Sequence, residues 1–115
     1  FSDKNIRVRV PVGISYDSDP RLAMELCVDA ARSSGRVLSD PEPRCLLTEF
    51  GDNSVNLELR FWINDPSNGV GNARSEVLLS IWDRFKEAGI SIPFPQRDLH
   101  IRSVPEELRQ SLDKN

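Results

Sequence analysis

Hydrophobic and polar positions follow two different periods along this chain. From Ile6 onward they alternate: Ile6, Val8, Val10, Val12, Ile14 and Tyr16 point one way, while Arg7, Arg9, Pro11, Gly13 and Ser15 point the other. That pattern predicts a half-buried strand. After Asp19 the period lengthens, and Leu22, Ala23, Leu26, Cys27, Ala30 and Ala31 form one stripe of a helix. Asp19 suits its N-cap, and Pro20 suits the first position, where the missing N–H has no partner in any case. Gly35 is the expected stop. The prolines of "SDPEP" (39–43) exclude a helix there, and "RCLLTEF" and "SVNLELRFWI" on either side of "GDN" predict an antiparallel hairpin turning through Asp52 and Asn53. Val55, Leu57, Leu59, Phe61 and Ile63 alternate toward its inner side. Beyond the polar loop "NDPSNGVGN", a second helix places Leu78, Ile81, Trp82, Phe85 and Ala88 on one face and stops at Gly89. Ile90, Ile92 and Phe94 then suit a short fourth strand, which Pro93 confines to a sheet edge.

The order βαββαβ is the split βαβ plan, an α+β ferredoxin-like sandwich with a four-stranded antiparallel sheet and two helices on one face. Val8, Val10, Val12, Leu26, Leu57, Leu59, Phe61, Ile81 and Phe85 are its expected core. The vestige that the plan does not use begins after Pro95. Residues 1–97 read as the sandwich, and 98–115 as an extra strand and tail. With Leu99 and Ile101 as its main apolar residues, that strand has too little to bury alone. Ser103 and Glu106 fit a capping pattern for a short helical turn carrying Leu108 and Leu112.

Composition removes several functions. At 115 residues, 38% hydrophobic and 29% charged, the chain buries an adequate core without staples. A net charge of -3 gives no field for nucleic acid, and an RNA reader would need paired exposed aromatics on its central strands, where Trp62 stands alone. No apolar run is long enough to span a bilayer, and no signal peptide opens the chain. A first residue other than Met points to a longer parent protein. Cys27 and Cys45 with the single His100 are too few for zinc, and they read as buried reduced thiols rather than a disulfide. "GVGN" (69–72) lacks the glycines and the Lys-Ser/Thr ending of a phosphate loop. Asp17, Asp19, Asp40 and Glu42 are explained by caps and turns. No cofactor, metal or catalytic constellation is expected, and the chain reads as non-enzymatic.

Two features remain. On the polar sheet face, Arg7 and Arg9 oppose Glu58, Arg60 and Trp62. This is either a solvated face with weak cross-strand ion pairs or a contact with another subunit or an upstream domain. In "PFPQRDLHI", prolines bracket Phe94 ahead of a weak strand, which suits an arm that delivers the strand elsewhere.

"VGISYDSDP" before a helix, "VLSDPEPRCLLTEFGDNSVNLELRFWI" and "AGISIPFPQRDLHI" together resemble the cytoplasmic C-terminal domain of the small-conductance mechanosensitive channel family, MscS. The resemblance runs from about Arg7 to Ile101. It implies a vestibule wall on the cytoplasmic side of the cell membrane, built as a homoheptamer beneath a pore and acting in osmotic-shock protection. Its partners would be the other subunits, the upstream membrane and middle β domains, and the ions and small solutes in transit. It also implies that Phe94, Pro95, Gln96, Arg97, Asp98, Leu99, His100 and Ile101 form an oligomer interface, a shared parallel β-barrel. The competing expectation is a ferredoxin-like regulatory domain that binds a small molecule.

Overall fold

A computed structural model describes residues 5–93. Its order is strand β1 (Ile6–Ile14), helix α1 (Pro20–Arg32), strands β2 (Arg44–Phe50) and β3 (Val55–Ile63), a short 3-10 turn (Pro66–Asn68), and helix α2 (Val70–Ala88). The sheet is antiparallel in the order β1-β3-β2, and Val10 lies opposite Leu59 across its centre. Alternation works as expected in both long strands. Val8, Val10, Val12 and Ile14 are buried together with Val55, Leu57, Leu59, Phe61 and Ile63, under helices that cover this face alone. The fold is the expected α+β ferredoxin-like sandwich.

Four local expectations are corrected. Residues Ile90–Pro93 form no strand, so the described sheet has three strands rather than four. One bond, from Ser15 N–H to the Ser91 carbonyl (2.9 Å), brings the chain back beside β1. Ile90 is buried and ends the alternation, because Ile92 is 43% exposed and Pro93 offers no donor. Second, α1 ends at Arg32 with Ser33 as its C-cap, two residues before Gly35: the Ser33 N–H donates to the Asp29 carbonyl and the Ser34 N–H to the Ala31 carbonyl. Third, the hairpin turns through Asp52 and Asn53 as expected, but without the left-handed conformation that those residues tolerate: it closes from Gly51 N–H to the Ser54 carbonyl (2.7 Å), and neither residue adopts positive φ. A register shift between Leu47 and Glu49 absorbs the mismatch in β2. Fourth, Leu26 is only partly buried, packed beside the core. The remaining caps follow expectation: Asp19 accepts from Arg21 and Leu22, and Gly89 takes the left-handed conformation (φ 78°).

Arg36 holds the loop ahead of α2 in place. Its guanidinium grips the Asp65 carboxylate (Nε to Oδ2 3.0 Å, Nη2 to Oδ1 2.9 Å) and donates to the Gly69 carbonyl at 2.7 Å. The arginine therefore occupies the "GVGN" turn from inside the chain. Ser34 donates to Glu76 (2.6 Å), tying the end of α1 to α2.

The outer edge of β1 is blunted. Because N–H and C=O groups of residues two apart point the same way, the outward Ser15 N–H fixes the orientation for Pro11, Gly13 and Arg9 as well. Pro11 has no donor there, and the Arg9 carbonyl accepts from Arg74.

Candidate assembly surfaces

Helix α2 carries more apolar surface than its own sheet covers. Ala73, Val77, Ile81 and Phe85, four residues apart, are buried against the sheet. Leu78, Leu79 and Trp82 are 39%, 63% and 50% exposed. Leu78 and Trp82 therefore belong to a second, outward row and not to the buried stripe expected from the sequence. Between that row and the β1 edge runs a groove of about 410 Å³ lined by Pro11, Val12, Gly13, Leu78, Trp82 and Ile92 among others. Lys86 lies over the Trp82 ring, 5.3 Å from its centroid.

The opposite sheet face is polar. It brings together Arg7, Arg9, Glu58, Arg60 and Trp62, with Arg7 opposite Trp62 and Arg9 opposite Arg60. Arg60 Nε donates to Glu58 at 2.6 Å, and Arg9 stands 4.0 Å from the same carboxylate. The Arg60 hydrogen bond, with the charges of Arg60, Arg9 and Arg7, holds the Glu58 carboxyl below its ordinary pKa. Arg44 of β2 also lies opposite Arg60, a neighbour that the sequence pattern alone does not assign.

Phe94, Pro95, Gln96, Arg97, Asp98, Leu99, His100 and Ile101 lie outside the described residues. Both cysteines are free, Cys27 buried and Cys45 partly so, and the neighbouring Cys45 thiol together with burial raises the pKa of Cys27. Asp19 is an N-cap and Glu42 pairs with Arg32 at 3.5 Å. Among the described residues no acidic, cysteine or histidine group is arranged for a metal, and no helix is long and apolar enough to cross a membrane.

Comparison with known proteins gives this arrangement a family. An MscS family protein of Archaeoglobus fulgidus is 36% identical over 91 residues, which cover 79% of this chain and 31% of that protein. The small-conductance mechanosensitive channel of Edwardsiella ictaluri is 28% identical over 99 residues, covering 83% of this chain and 32% of the channel. The crystal structure of Helicobacter pylori MscS in its closed state superposes with a TM-score of 0.73 at 26% identity, over 82% of this chain and 37% of that one. This chain thus spans about a third of the length of each of these three relatives. The family model described as "Mechanosensitive ion channel MscS, C-terminal" matches residues 8–92. The chain belongs to the MscS family of mechanosensitive ion channels and carries its C-terminal domain.

Proposed function

We propose that this domain is one segment of a vestibule wall beneath the pore of a mechanosensitive channel, on the cytoplasmic side of the membrane. Seven copies form the wall, leave openings for water, ions and small solutes, and hold back larger molecules during osmotic shock. Tension is sensed elsewhere in the channel, not here, and the domain performs no chemistry. The family match over residues 8–92 carries this reading.

Two surfaces support the ring. The apolar groove along α2 and β1 needs cover, and an adjacent copy is its proposed occupant. Exposed Leu79 and Trp82 are the large side chains that interfaces favour and solvent does not. The second surface is the arm from Phe94 through Ile101, contributing Leu99 and Ile101 to a closed barrel of identical strands. Closure leaves no strand edge unpaired, so each strand gains more inside the ring than on its own.

The test contrasts two settings. Charged replacements of Leu99 and Ile101, and separately Leu79→Glu, should leave the melting temperature of the 115-residue chain nearly unchanged. In the full-length channel the same changes should loosen the oligomer, read as subunit loss in detergent. Equal destabilisation of the isolated chain would show that these residues serve its own fold, and the reading would fail.

A further inference from the structure

The polar sheet face concentrates positive charge on a chain whose net charge is -3. Register places Arg9, Arg60 and Arg44 side by side across all three strands, because Arg60 lies opposite both of the others. Arg7 stands two residues from Arg9 on the same face. Like charges directly opposite one another in a sheet are destabilising. Nothing in the packing requires them, since the core lies entirely on the other face.

One carboxylate stands among these four guanidiniums. Glu58 is engaged by Arg60 and approached by Arg9, while Glu49 sits toward the far end of the face beside Asn56, at 3.2 Å. Arg7 and Arg44 are exposed and form no ion pair among the described residues. Among the described residues the local balance is four positive charges against one negative.

We propose that this row is a binding site for a small polyphosphate anion, inorganic or carried by a nucleotide. Planar guanidiniums bind phosphate oxygens in pairs and are weakly hydrated, which suits them to this role better than lysines. Span also fits. Neighbouring strands stand roughly 4.8 Å apart, so three adjacent arginines cover about 10 Å, comparable with two or three linked phosphates. A single carboxylate would leave most of the row unneutralised. Trp62, opposite Arg7, offers an aromatic ring beside the row for a base.

Calorimetric titration of the 115-residue chain with magnesium-free tripolyphosphate at low salt tests the site. One-to-one saturable binding is expected, weakened by about tenfold or more when Arg9 and Arg44 are replaced by Gln. Arg21→Gln, an exposed arginine of α1 away from this face, should leave it unchanged. Without ligand, the double variant should melt no lower than the parent, because the like-charge row has been relieved. A nucleoside triphosphate run alongside identifies the source: tighter binding that is lost in Trp62→Leu assigns the nucleotide, and equal binding assigns the phosphate chain. The proposal is overturned by absence of saturable heat at millimolar ligand, or by equal weakening in Arg21→Gln. It is also overturned by salt-reversible self-association that disappears in the double variant, which would make the occupant another chain's carboxylates.

Discussion

Leu59 shows what a single residue carries. It is fully buried at the centre of the middle strand, opposite Val10 and Cys45. Leu59→Ala leaves a cavity that the flanking strands cannot close, and should cost about 2–5 kcal/mol in denaturant unfolding. A cost near zero would mean that the strand is one residue out of register, since a slip of one turns every side chain to the other face. That period of two is why the inner residues of β1 and β3 were legible from sequence. Trp82 and Leu78 were not legible in the same way. Hydrophobicity records that a side chain is better covered, but not which chain covers it, and a helix with two apolar rows reads like one with a wide single row. Arg44 was missed for another reason: its neighbour Arg60 is fixed by the pairing of β2 with β3, and the shift after Leu47 obscures that register.

At the scale of elements, the connections were harder to read than the elements themselves. Helix α1 begins where Asp19 and Pro20 predict, and α2 ends at Gly89, because caps and left-handed glycines are local signals. The clamp of Arg36 on Asp65 joins segments 29 residues apart, and no local pattern announces it. Hydrogen bonds from Arg36, then Asn68, hold the Asp65 carboxyl below its ordinary pKa. A carboxylate depressed in the folded state stabilises the fold fully above its unfolded pKa, about 3.9, and loses that contribution as pH falls through its folded value. Arg36→Ala should therefore lower the melting temperature at neutral pH, by an amount that shrinks on acidification below about pH 4. Melting curves from pH 7 downward check this. A difference that stays constant with pH would assign the loss to the Gly69 contact instead. The expected fourth strand failed on similar grounds: Ile90 and Ile92 alternate in sequence, yet Ser91 makes one backbone bond to Ser15 and turns its own N–H to the Ser18 hydroxyl, and with Pro93 this is too little to extend a ladder.

As a whole molecule, the chain offers a complete core and incomplete surfaces. Its own helices and sheet bury what holds it together, whereas under the proposed function the groove beside α2 and residues 94–101 are covered only by other subunits. The 115-residue chain should accordingly sediment as a monomer, or associate loosely, at micromolar concentration; a stable heptamer would show that the interface needs no help from the membrane and middle domains. Family and fold were legible because the ordered sequence stretches span nearly the entire sandwich. The surfaces were less so, since on the proposed reading they answer to neighbours outside the chain. Pro11 bears on how such neighbours can meet. A copy approaching β1 edge-on finds a proline where a ladder needs a donor, and the Arg9 carbonyl already taken by Arg74. Copies therefore cannot zip sheet to sheet into an endless ribbon along this edge. They must meet through side chains, whose shape fixes an angle, and it is a fixed angle that lets growth stop by closing on itself.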